Sequence, residues 1–138
     1  MGNVGIPIGL RNNNPLNIRV SSNTWLGKVA SDNAFEKFST LDYGIRAAVK
    51  NLITYYTRDK LVTVGSIVSK WAPPSENHTS NYVKYVAEKM GVSATSAIPL
   101  TVDTFAKLVA AMSDVELGKS YGINEYQVKN VILRFGLI

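Results

Sequence analysis

Residues 102–118 read VDTFAKLVAAMSDVELG. Phe105, Leu108, Val109 and Met112 recur at helical spacing and form one apolar stripe, which predicts a core helix over 102–118. Glu116 lies four residues beyond Met112, so it continues the stripe instead of facing water. Gly118 follows as a helix stop. The expected picture is a carboxyl at the tip of a core helix, partly enclosed by apolar side chains. Burial disfavours the charged form, so such a group keeps its proton to higher pH than a surface Glu. A glutamic acid that is neutral near pH 7 is what acid-catalysed glycoside cleavage requires. The competing expectation is a structural helix-end Glu that turns to water or pairs with Lys119.

The rest of the chain supplies a helical frame for that segment. Ile45, Val49, Leu52, Ile53 and Tyr56 share a face, which predicts a helix over Asp42 to Arg58 with Asp42 as its cap. A short helix is expected over Val64 to Trp71, stopped by Pro73 and Pro74, and another over Thr79 to Met90, ended by Gly91. The last helix spans Asn124 to Phe135, with Val128, Val131, Ile132 and Phe135 inward. Residues 1–10 alternate glycine with aliphatic residues and read as an extended arm. The runs Asn17 to Val20 and Val29 to Phe38 suggest a small β-hairpin or irregular β region, with Trp25 as a core plug and Glu36 as an outward residue of a strand. No repeat and no separating linker is found, so the fold class is mainly α with a small β element, in one domain over residues 1–138.

Composition narrows the function classes. The 138 residues suffice for one domain with a real core, and 46% apolar against 18% charged excludes a disordered tail. There is no cysteine and one histidine, His78. A zinc site would need carboxylates almost throughout, and neither Ser75 nor Ser80 beside His78 sits in a nucleophile elbow. No metal or other cofactor is therefore expected. The net charge of +5 suits an anionic partner: nucleic acid, anionic lipid or an acidic cell wall. Most of the seven tyrosines fall at core spacing with no basic helix face beside them, which argues against nucleic acid. The start, MGNVGIPIGL, has neither the basic opening nor the long apolar run of a secretory signal, and no segment has the length to span a bilayer.

Two polar stretches carry further chemistry. In RNNNPLNIR, residues 11–19, three asparagines before a proline oppose helix and give a turn rich in amide donors and acceptors. It reads either as a surface loop or as a wall that hydrogen-bonds a neutral polar ligand such as a sugar. In WAPPSENHTSNYV, residues 71–83, two prolines end one helix and Glu76 to Thr79 open the next. Asn77 or Thr79 can cap that helix, and Glu76 complements its dipole, which would lower its pKa and make it a poorer acid than Glu116.

With the Gly44-Ile45-Arg46-Ala47 helix start, these two stretches resemble a family of small phage and prophage proteins of the lysozyme-like superfamily, muralytic proteins that act as virion components or lysins. The resemblance runs from about Gly9 to Gly118. Residues 75–86 are also similar to the glutamate-threonine, tyrosine-valine pattern of lytic transglycosylases, in which the tyrosine lines the sugar cleft; the matching residues are Thr79 and Tyr82. Those enzymes place the helix bearing the catalytic glutamate first. Only ten residues precede the Asn-rich turn here, so the order is read as permuted: the helix ending at Glu116 supplies the acid and the N-terminal turn docks beside it.

The resemblance implies peptidoglycan as partner, virion components as further partners, and action at the cell wall in the periplasm by a protein of the virion or the host cytoplasm. It implies Glu116 as the general acid/base, with Glu76 as a second catalytic candidate, and a substrate-binding set of Asn13, Asn14, Asn17, Trp71, Asn77, Thr79 and Tyr82. A hydrolase needs a second carboxylate, for which Glu36 or Glu76 could serve, whereas a lytic transglycosylase works with one. Two other expectations stay open: an inactive wall-binding or virion structural protein, and a lysin that cuts the peptide crosslink.

Overall fold

The computed structural model describes residues 5–31, 34–75 and 78–138. Among them the chain is mainly helical with one two-stranded sheet. The elements are α1 (Ile8–Arg11), β1 (Lys28–Val29), β2 (Lys37–Phe38), α2 (Leu41–Thr57), α3 (Val64–Trp71), α4 (Thr79–Met90), α5 (Val102–Leu117), a 3₁₀ turn (Lys119–Tyr121) and α6 (Glu125–Phe135).

Helix α5 is the hub. It packs on α4 and α6, and also touches α1 and α2. Phe105, Leu108, Val109 and Met112 are fully buried, as the stripe requires. Thr101 caps its start, its hydroxyl accepting from the Thr104 N–H at 3.2 Å. Gly118 ends it at φ +92°, ψ 144°, a conformation that a residue with a Cβ rarely adopts. Ser113 ties the following segment to the helix by accepting from the Ile123 N–H at 2.8 Å.

The other long helices fall where periodicity places them, and their caps differ in detail. Thr40, not Asp42, caps α2, accepting from the Tyr43 N–H; Asp42 instead pairs with Arg134 on α6 at 2.9 Å. At α4 the N-cap position belongs to His78, which makes no side-chain cap bond, and the Thr79 hydroxyl donates to the Ala72 carbonyl across the proline turn. Asn77 and Glu76 lie outside the described residues.

The N-terminal region departs furthest from expectation. The arm contains a helical turn, α1, because Pro7 presets the backbone at φ −58° and Gly9 packs inward beneath Leu117. The sheet is minimal: Lys28 pairs with Phe38 and Val29 with Lys37, and a lone bridge joins Arg19 to Phe35. Trp25 packs against the core, as expected. Glu36 is not outward. It is fully buried, its Oε2 accepting from Lys28 Nζ at 3.1 Å and from the Ser21 N–H at 3.3 Å. Enclosure of a carboxylate is tolerable because a cation and a backbone donor accompany it.

Candidate active site

The Asn-rich turn docks on the tip of α5. Asn13 and Asn17 take left-handed backbone conformations, φ +53° and +54°, which asparagine tolerates better than most residues. The two reversals fold residues 12–18 back on themselves. Leu16 and Ile18 enter the core, and Asn17 is left facing Glu116 across 99 residues of sequence. Asn17 Nδ2 donates to Glu116 Oε1 at 3.0 Å and to the Glu116 carbonyl at 3.3 Å. From α4, the Tyr82 hydroxyl donates to Glu116 Oε2 at 2.9 Å. Each carboxyl oxygen thus has one fixed donor.

Beside this triad is a cavity of about 330 Å³ lined by His78, Asn81, Tyr82, Val115 and Glu116. Burial pushes the Glu116 carboxyl above the usual carboxylate range, and the bonds from Asn17 and Tyr82 pull it only part of the way back. Burial, then the neighbouring Glu116 charge and bond, also raise Tyr82, so its hydroxyl stays protonated as a donor. Lys119, the other partner considered for Glu116, sits instead over the Tyr85 ring at 4.9 Å.

The remaining candidate residues divide. Trp71 lines a second cavity, of about 300 Å³, that also takes in Asn17, so each cavity is lined by one partner of the Asn17–Glu116 bond. Asn13 and Asn14 line neither of these two cavities. Asn13 Nδ2 donates to the Phe38 carbonyl at 3.0 Å. Asn14 is fully buried, its amide donating to the carbonyls of Ile18 and Glu36 and its Oδ1 accepting from the Ile18 N–H. It ties the turn to the β region and has no polar atom left for a ligand. Thr79 is likewise buried, with its hydroxyl proton spent on Ala72. Glu76 and Asn77 lie outside the described residues.

Several lining residues escape sequence reading: His78, Asn81 and Val115 in the first cavity, and Arg19, Ser21, Asn23, Asn51 and Tyr55 in the second. One signal was present. Asn51 and Tyr55 are four apart on α2, on the stripe next to the apolar face, so a polar-aromatic pair flanks the core edge. Among the described residues no group of three or more His, Asp or Glu could hold a metal ion, and no helix is long and apolar enough to cross a membrane.

Fold and site together define a mainly helical protein in which an enclosed helix-end carboxyl, shifted towards its neutral form, faces a groove. No family model matches the chain. Over 117 residues it is 39% identical to Protein P5 of Pseudoalteromonas phage PM2, an alignment covering 81% of this chain and 72% of that protein. The chain belongs to the family of that phage protein.

Proposed function

We propose that this chain is a phage peptidoglycan-degrading enzyme of the lysozyme-like kind, cleaving the glycosidic bond between N-acetylmuramic acid and N-acetylglucosamine with Glu116 as general acid/base. One observation carries the reading: Glu116 is enclosed, raised in pKa, gripped by Asn17 and Tyr82, and still on the wall of a groove. The phage origin of the relative supports the setting. The permuted order of acid helix and Asn turn is part of the same proposal.

Protonated Glu116 would give its proton to the glycosidic oxygen as the bond to the anomeric carbon breaks. The resulting carboxylate would accept the proton of a hydroxyl on the same sugar while that oxygen closes onto the anomeric carbon. This leaves an anhydro sugar and regenerates the acid. The single-carboxyl scheme is favoured over hydrolysis because Glu116 is the only carboxylate among the described residues lining the two cavities, and Glu36 is closed off by Lys28.

Digestion of purified sacculi, with mass spectrometry of the soluble products, tests the reading. Anhydro-muramoyl ends are expected. Reducing ends would move the assignment to a lysozyme, free stem peptides to an endopeptidase, and no release to an inactive wall-binding or structural protein. Glu76→Gln is expected to alter stability or binding only; complete loss of activity there, with Glu116→Gln active, would transfer the acid to Glu76.

Tyr82→Phe probes the grip on the acid. The ring still fills its place, so the fold is expected to hold. Loss of the donor lets the Glu116 pKa climb further, because that bond favours the charged form. The rate should fall by roughly tenfold, and the alkaline limb of the pH profile should move to higher pH. An unchanged rate and profile would remove Tyr82 from the catalytic arrangement.

A further inference from the structure

The second cavity has a different chemistry from the first. Tyr55 and Trp71 present two rings with centroids 5.9 Å apart and tilted by 58°. Both rings are fixed. Trp71 Nε1 donates to the Leu16 carbonyl at 3.2 Å, and Lys70, held by Asp59 at 2.9 Å, sits over the Tyr55 ring at 4.9 Å. Amides of Asn17, Asn23 and Asn51 lie around them. Fixed aromatic faces ringed by neutral amides suit a sugar: apolar C–H faces stack, and hydroxyl and acetamido groups find donors and acceptors.

The opposite side of this cavity is also held in place. Lys28 Nζ donates to the carbonyls of Ser21 and Asn23 at 3.1 Å each while paired with buried Glu36, so the loop carrying Ser21 and Asn23 is fastened from beneath. Arg19 completes the wall. Its guanidinium lies over the Phe35 ring at 5.3 Å, and none of the ion pairs among the described residues involves it. No lining residue of the cavity is acidic. The two lysines beside this wall are paired, Lys70 with Asp59 and Lys28 with Glu36, which leaves Arg19 as the cation that lines it. Such a wall discriminates by ligand charge, attracting an anionic substituent and disfavouring a cationic one.

We propose that this wall is a carbohydrate subsite that selects an N-acetylated sugar carrying an anionic substituent, with Tyr55 and Trp71 stacking on the ring and Arg19 taking the carboxylate. The proposal rests on the reading of the adjoining groove as glycan-binding. Arg19 is then a specificity residue, and neutral or deacetylated glycans are poorer ligands. The carboxylate can belong to the lactyl ether of muramic acid or to the peptide it bears.

The test uses the full chain carrying Glu116→Gln, which binds without turnover, followed by NMR titration with three probes. These are chitotetraose, the peptide-free tetrasaccharide of alternating N-acetylglucosamine and N-acetylmuramic acid, and that tetrasaccharide with its stem peptides. A muramoyl probe is expected to bind about tenfold more tightly than chitotetraose, one charge-assisted contact's worth. The preference should shrink as salt is raised, because Arg19 is exposed. Adding Arg19→Gln should erase it, so that the muramoyl probes bind that variant no more tightly than chitotetraose does, and Arg19→Lys should restore part of it. A preference confined to the peptide-bearing probe assigns the anion to the peptide, provided Arg19→Gln removes it. Equal affinity for all three probes, a preference that survives Arg19→Gln, or no perturbation of the Tyr55 and Trp71 ring signals overturns the proposal. The enzyme reading fails separately, by the absence of product from the unsubstituted chain.

Discussion

Glu116→Gln is expected to abolish product release from sacculi, with a fall of about a thousandfold or more, while the fold is kept. The amide has the shape of the acid. Its oxygen can still accept from Asn17 Nδ2, and its nitrogen can donate to the Tyr82 hydroxyl, which then turns its own proton towards the Met112 carbonyl 3.5 Å away. What it cannot do is give up a proton at working pH. The same substitution has a signed effect on stability. The folded carboxyl holds its proton to higher pH than the unfolded one. Between the ordinary Glu pKa and the raised one the folded chain therefore binds more protons than the unfolded chain. Stability from this group is present below the ordinary value, is lost as the pH climbs through that window, and stays lost above the raised value. Glu116→Gln has no such loss. Its stability relative to the natural chain is expected to rise with pH across the window and then level off, as read by denaturation at a series of pH values. A relative stability that falls with pH would mean that Glu116 is a stabilising surface anion. Retained release of sugar products by Glu116→Gln would exclude it as the acid.

The part of this site that sequence exposes is the part set by one helix. The stripe from Phe105 to Met112 fixes the face of α5, and Glu116 inherits its position from it. The bounds of α3 and α4 follow from Trp71 before two prolines and from Met90 before Gly91, both local signals. The Asn turn is different. Asn12, Asn13, Asn14 and Asn17 share one chemistry, and which of them faces the groove depends on the left-handed backbone at Asn13 and Asn17. Composition shows that a turn forms there, not that Asn14 will spend its whole amide on backbone groups of Ile18 and Glu36. Glu36 follows the strand period rather than breaking it. It lies two residues before buried Phe38, with exposed Lys37 between, and so falls on the inward face, where Lys28 and the Ser21 N–H meet it. The aromatic-amide wall is assembled from α2, α3 and the segment from Asn17 to Asn23, three stretches that periodicity treats separately.

Gly44→Ala is expected to destabilise the protein by about 3 kcal/mol, although the position is inside a helix. Helix propensity alone gives the opposite sign, since Ala is better than Gly by about 1 kcal/mol in a helix interior. Geometry overrides it. A Cβ on Gly44 would lie 1.7 Å from the Asn13 carbonyl oxygen, and that atom is backbone with little freedom to retreat. Asn13 is pinned through its side chain to the Phe38 carbonyl, and the neighbouring Asn12 carbonyl accepts from the Phe38 N–H at 2.9 Å. Relief therefore requires α2 to slide off the turn or the turn to lift away from α2. Either movement disturbs Asn17, four residues further on, and with it one of the two donors on Glu116. Chemical denaturation of Gly44→Ala against Lys50→Ala, an exposed position on the same helix, checks this; the second should change stability by no more than about 0.5 kcal/mol. Activity in Gly44→Ala should fall even where the chain remains folded, because the acid loses its register with the turn. A neutral or stabilising Gly44→Ala would show that α2 and the Asn13 carbonyl do not meet, and the docking of the turn that brings Asn17 to Glu116 would lose its support.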